Sequence, residues 1–81
     1  ENEVRPEDLI GLPVMHVDGS QIGVLEDIRD VAGQELWFIR DDAGNEILLP
    51  AVDEFVLDID LEAGVILVEP PEGLLELYQQ P

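Results

Sequence analysis

Ser20 and His16 are the only pair in this chain that could act as nucleophile and general base, because threonine, cysteine and lysine are all absent. Side-chain nucleophilic catalysis needs the base within hydrogen-bond reach of the hydroxyl. Asp18-Gly19 reads as a two-residue hairpin turn, which pairs Ser20 with Val17 and His16 with Gln21 on the opposite face. The base then points away from the serine, and His16 reads as an ordinary strand residue. The chain is expected not to be an enzyme. Asp41-Asp42-Ala43-Gly44-Asn45-Glu46 gathers oxygen ligands around a glycine, but without the spacing and terminal Glu of an EF-hand loop. Hairpin loops favour the same residue types for backbone reasons, so no metal or other cofactor is expected. Gly19 and Gly23 sit in a hairpin and open no helix, which leaves no phosphate-binding loop.

Binding is the chemistry that remains. Twenty Asp and Glu stand against three Arg, for a formal net charge of −17. Such a surface repels phosphates, so direct nucleic-acid binding is not expected. It suits a basic protein partner, with solubility or adaptation to high salt as the plainer alternative. Trp37 and Phe38 fall on opposite strand phases: one fills the core, and the other faces out or lies under a covering segment. If Trp37 faces out, it and the Asp41-Asp42 loop form one candidate interface edge.

These residues must be positioned by short strands. Pro13 to Val17 and Gln21 to Val31 read as a hairpin around Asp18-Gly19. Leu25 and Glu26 break the alternation of Ile22, Val24 and Ile28, which predicts a bulge or bend near Glu26. Gly23 fits close approach of another backbone. After the turn at Ala32-Gly33-Gln34 come Leu36 to Ile39, the loop Asp41 to Asn45, and Glu46 to Leu49, stopped by Pro50. Ala51 to Glu54 suit one helical turn. Pro70-Pro71 ends the last strand, and Gly73 to Tyr78 is a short apolar tail that is helical or irregular.

The most regular stretch is Phe55 to Val68. Phe55, Leu57, Ile59 and Leu61 recur every second residue with Asp58, Asp60 and Glu62 in the gaps, and Glu62-Ala63-Gly64 reads as a three-residue loop. That register sets Leu61 opposite Val65 and Ile59 opposite Leu67 on the core side. Asp60 then faces Ile66 and Asp58 faces Val68 on the outer side. Val56, Ile66 and Val68 among Asp58 and Asp60 make the principal candidate partner-binding patch, unless Leu74, Leu75 and Leu77 fold back over it. The expected core is Leu9, Ile10, Val14, Ile22, Val24, Ile28, Ile47, Leu49, Phe55, Leu57, Ile59 and Leu67.

At 81 residues the chain is one domain with a small core. It has no cysteine for disulfides and no apolar run near the roughly 20 residues of a membrane helix. Residues 1–7 read as a linker, 8–77 as the domain and 78–81 as a tail. Six strands at hairpin spacing, apolar enough to leave sticky edges if flat, predict an all-β fold closed into a small barrel.

Several separated motifs resemble one family. Asp8-Leu9-Ile10-Gly11, the Gly19 and Gly23 hairpin, Leu49-Pro50-Ala51-Val52, Asp58-Ile59-Asp60-Leu61-Glu62 and Pro70-Pro71-Glu72-Gly73-Leu74-Leu75 resemble the C-terminal PRC-barrel domain of RimM, the bacterial ribosome maturation factor of the small subunit. The resemblance implies a six-stranded barrel preceded by a second β-barrel domain. It also implies assembly of the small-subunit head, ribosomal RNA processing in the cytoplasm, and binding to the nineteenth small-subunit ribosomal protein. The family carries adjacent aromatics just before the Asp-Leu-Ile-Gly segment, tied to partner binding and domain contact. Val4-Arg5-Pro6-Glu7 has none there. A stand-alone PRC-barrel scaffold, similar to the cytoplasmic domain of the photosynthetic reaction-centre H subunit, is the alternative.

Overall fold

Turn residues divide the chain as their chemistry demands. A computed structural model describes residues 6–78, in the order α1 (Pro6–Leu9), β1 (Pro13–His16), β2 (Gln21–Val31), β3 (Gln34–Arg40), β4 (Glu46–Pro50), β5 (Val56–Asp60), β6 (Val65–Val68) and α2 (Leu74–Tyr78). Most of the expected linker and tail lies outside the described residues, and α1 begins within the linker stretch at Pro6. The six strands form one sheet in the order β4-β3-β2-β1-β6-β5. All neighbours run antiparallel except β1 and β6, which pair in parallel with Val14 beside Ile66 and His16 beside Val68. That pairing ties the first hairpin to the last. The sheet curls around one core, and no hydrogen-bonded ladder joins its two end strands, β4 and β5.

The curl originates in β2. Its first half pairs with β1 and its second half with β3, and the bulge predicted near Glu26 lies between Leu25 and Asp27. A bulge adds a residue on one side of a ladder, which bends the strand and increases its twist. At Gly23 the backbone of β3 passes so close that a Cβ would run into the Arg40 carbonyl oxygen and lie 3.0 Å from Ile39 Cγ2. Only glycine fits that crossing.

The first turn is one residue longer than expected. The Gly19 N–H donates to the His16 carbonyl at 2.9 Å, and the His16 N–H donates to the Ser20 carbonyl at 2.8 Å. Val17-Asp18-Gly19 is therefore a three-residue loop, with Gly19 at φ 97° in the left-handed region. Between β4 and β5, the Val52 carbonyl accepts from the N–H groups of Phe55 and Val56, which forms the helical turn expected there.

The last hairpin departs from its expected register. Asp60 pairs with Val65, Ile59 with Ile66, and Val56 with Val68. Its loop is Leu61 to Gly64, held by the Gly64 N–H on the Asp60 carbonyl at 2.8 Å and the Ala63 N–H on Asp60 Oδ1 at 3.0 Å. One residue of slip turns every side chain of β6 to the other face. Ile66 and Val68 are consequently 0% exposed core residues, and Leu67 is only half-buried. Within β5 a second bulge, between Val56 and Asp58, turns Leu57 outward, 45% exposed, while Val56 and Ile59 face inward. Leu25, Trp37 and Ile39 join the core, whereas Ile10 and Val24, expected inside, are each 40% exposed. Leu74 and Leu75 pack against the core, and Leu77 stays in solvent.

Charge is poorly compensated. Arg29 pairs with Asp27 at 2.8 Å and lies 5.1 Å over the Phe38 ring, and Arg40 pairs with Glu26 at 2.8 Å. The Arg29 hydrogen bond, reinforced by the Ile28 N–H, holds the Asp27 carboxyl below the usual carboxylate range. Both described arginines are occupied within the domain, so repulsion among the other carboxylates acts against the compact state.

Ile66→Ala, which empties a fully buried site, is expected to cost about 2–4 kcal/mol in urea unfolding, and Leu57→Ala less than about 1 kcal/mol. The register expected from alternation predicts the reverse order. Gly23→Ala is expected to destabilise by about 1–3 kcal/mol, because the Arg40 carbonyl belongs to a paired strand and cannot withdraw freely. The melting temperature should be higher in about 0.5 M salt than in dilute buffer. A flat or falling salt dependence, read by circular dichroism, would assign control to the local pairs.

Candidate partner-binding cleft

Hydroxyl, imidazole and carboxylate do meet, but not in a catalytic order. The three-residue loop places His16, Asp18 and Ser20 on one turn and does not hold them on separate faces. Ser20 Oγ donates to Asp18 Oδ1 at 2.7 Å, while His16 Nδ1 accepts the Asp18 N–H at 3.1 Å. A triad requires the hydroxyl on the imidazole and the imidazole on the acid. Here the acid takes the hydroxyl. Asp18 is also the acceptor of the Ser20 N–H at 2.9 Å, the largest cause of a carboxyl held below its ordinary range. The group is a turn brace.

The expected partner residues are distributed differently from their sequence grouping. Ile66 and Val68 are core and present nothing to a partner. Asp60 caps the β5–β6 loop. Asp41 braces its own hairpin through the Asn45 N–H at 2.8 Å and the Asn45 side-chain amide at 3.0 Å. Asp42 lies with it on a separate groove bordered by Ile10, Val24 and the Glu26–Arg40 pair. Trp37 is 3% exposed, so it is no protruding anchor and does not share a surface with the Asp41-Asp42 loop.

Three of the expected residues do converge. Trp37, Val56 and Asp58 line an open cleft of about 400 Å³ together with Leu9, Glu35, Ala51, Val52, Asp53, Leu57 and Ile59. Its position follows from the topology. β3 supplies Glu35 and Trp37, the helical turn supplies Ala51 to Asp53, β5 supplies Val56 to Ile59, and α1 closes one end with Leu9. The cleft therefore occupies the open seam of the sheet, between β3 and β5 and beside the turn that joins β4 to β5. Trp37 forms part of the apolar floor, with its indole Nε1–H donating to Glu35 Oε2 over a long 3.4 Å. Glu35, Asp53 and Asp58 are exposed and rim it.

Sequence reading missed the other lining residues, among them Leu9, Glu35, Asp53 and Leu57. Leu57 is exposed only because β5 bulges, and nothing in an alternating pattern reports a bulge at that point. Glu35 and Asp53 meet through the pairing of β3 with the end of β4, where the Ala51 N–H donates to the Glu35 carbonyl at 3.0 Å. Floor and rim together can hold an apolar group flanked by positive charge. The arrangement offers nothing to an anion. Among the described residues no group of three or more His, Cys, Asp or Glu side chains is placed to hold a metal ion, and no helix is long and apolar enough to cross a membrane.

Residues 6–74 match the family described as the RimM PRC barrel domain. The chain is 48% identical over 79 residues to the ribosome maturation factor RimM of Lawsonia intracellularis, covering 96% of this chain and 46% of that protein. It is 41% identical over 76 residues to RimM of Thermobifida fusca, covering 94% and 44% respectively. A crystal structure from Pseudomonas aeruginosa, described as a 16S ribosomal RNA processing protein, RimM, superposes with a TM-score of 0.74 at 28% identity over 82% of this chain and 43% of that one. The chain thus spans a little under half the length of the curated relatives it matches. The small six-stranded barrel expected from hairpin spacing is the PRC barrel, and the chain belongs to the RimM PRC-barrel domain family.

Proposed function

We propose that this domain is a non-catalytic adaptor in ribosome maturation, acting in the cytoplasm beside an upstream β-barrel domain. In this reading it docks a basic protein of the small ribosomal subunit, the nineteenth, while the subunit head assembles and its 16S ribosomal RNA is processed. One observation carries the reading: the apolar cleft at the barrel seam is rimmed by Glu35, Asp53 and Asp58, on a domain whose described arginines are already paired. Burial of an apolar group in the cleft supplies affinity, and the acidic rim speeds encounter and rejects anions. The relatives' names supply the ribosomal context. Positive charge held against this rim is masked until RNA phosphates replace it.

Titration of labelled nineteenth protein into the wild type and an Asp53→Lys, Asp58→Lys variant tests the reading. Both positions are exposed, so the variant should fold. The expected result is binding by the wild type, at least about tenfold weaker in the variant and weakened by salt. Ribosomal RNA should not bind at physiological salt. Equal affinity of wild type and variant would remove the cleft from the interface, and RNA binding by the wild type would overturn the electrostatic basis. Ile66→Asp cannot serve here, because it places a carboxylate in the core and is expected to unfold the domain.

A further inference from the structure

The ends of the sheet are not equivalent. α2 packs against β4, whereas the outer side of β5 has no strand partner among the described residues. β6 occupies the inner side of β5 and contributes nothing to the cleft lining, so the cleft lies along the outer edge. Beyond Val56, whose N–H is already held by the Val52 carbonyl, an edge strand beside an apolar trough offers backbone donors and acceptors together with pockets for alternate side chains, as strand addition requires.

Charge selects the occupant. A second copy of this chain would bring a further net −17 against Glu35, Asp53 and Asp58, and its edge is disfavoured by like-charge repulsion. An anionic ligand meets the same barrier. A cationic segment is attracted, and an extended chain sends successive side chains to opposite faces. One set can then enter the floor at Trp37, Val56 and Ile59 while the other meets the rim.

We propose that the outer edge of β5 takes up an extended basic segment of a protein partner as an added strand, with apolar side chains in the cleft and alternating Lys or Arg side chains against Glu35, Asp53 and Asp58. This rests on the reading of the cleft as the docking site and adds its mode: backbone pairing, with alternation of apolar and cationic residues as the recognised pattern.

The test uses labelled peptides of about eight residues, the length of a short strand, with equal numbers of Lys and Val in alternation. Two isomers carry backbone N-methyl groups, one on the Lys residues and one on the Val residues. The isomers keep charge and composition, but only one set of amides faces β5. Fluorescence anisotropy should show one isomer binding like the parent and the other at least about tenfold weaker, through loss of two or more hydrogen bonds. The parent should also weaken several-fold against Asp53→Asn, Asp58→Asn protein.

Isomers of equal affinity, whether both bind or neither does, overturn strand addition. That outcome leaves the adaptor reading to stand or fall on the titration of the nineteenth protein. Discrimination between isomers with no effect of the Asp53→Asn, Asp58→Asn change overturns the assignment to this edge. Concentration-dependent dimers of the domain, abolished by the parent peptide, would make a second copy the occupant and overturn the cationic one.

Discussion

The approach of the Arg40 carbonyl to Gly23 is the constraint on which the remainder of the domain depends. A six-stranded sheet of this apolar content cannot stay flat without exposing one face, so it has to curl. β2 is where it does so, because β2 alone is long enough to leave β1 for β3 along its length. The missing side chain at Gly23 admits the neighbouring backbone, and the bulge at Glu26 supplies the extra twist. Once β2 is coiled, β3 and β4 fold over one side of the core and β1, β6 and β5 over the other. The end strands stay unpaired, and the cleft lies at that open seam, between β3, the turn after β4, and β5.

Local features were legible in the sequence because their causes are local. Turn residues and Pro50 set the strand ends, the broken alternation at Leu25-Glu26 located the bulge, and the absence of a Cβ at Gly23 marked a close crossing. Register was not legible. Glu62-Ala63-Gly64 suits a three-residue loop, but the Asp60 carboxylate accepting the Ala63 N–H makes a four-residue loop from Leu61 to Gly64. Hairpins of both lengths share the same residue types, so the loop's own hydrogen bonds to Asp60 accompany the choice, and with it the face of every β6 residue. The β-branched side chains of Ile66 and Val68 belong in the barrel interior on packing grounds. The regularity of Phe55 to Leu61 masked that preference, because the bulge at Leu57-Asp58 cancels the regularity in three dimensions.

The cleft was only partly visible for a related reason. Trp37, Val56 and Asp58 could each be singled out by type, yet their convergence needs the β3–β4 pairing and the seam, both set by tertiary structure. Asp41 and Asp42 had the right chemistry at a position committed to a hairpin. The family resemblance identified the kind of domain and did not locate the site. Where the family has aromatics before the Asp-Leu-Ile-Gly segment, Val4 and Arg5 lie outside the described residues, while Glu7 belongs to α1, whose Leu9 closes the end of the cleft.

Acidic residues at an open sheet edge also explain how such a seam is tolerated. An unpaired edge beside apolar side chains is a template for association between copies, and natural sheets blunt such edges with charge and bulges. β5 has both: Asp58 and Asp60 are exposed, and the strand bulges at Leu57. Carboxylates differ from the more usual lysines in what they exclude. Lysines repel cationic partners, whereas carboxylates repel copies of this acidic domain and anions such as phosphate polymers, and leave the edge accessible to positive charge. The same groups lower the stability of the isolated domain through mutual repulsion. Relief of that repulsion by a cationic partner adds to the free energy of binding without any further contact, which couples stability to occupancy of the seam.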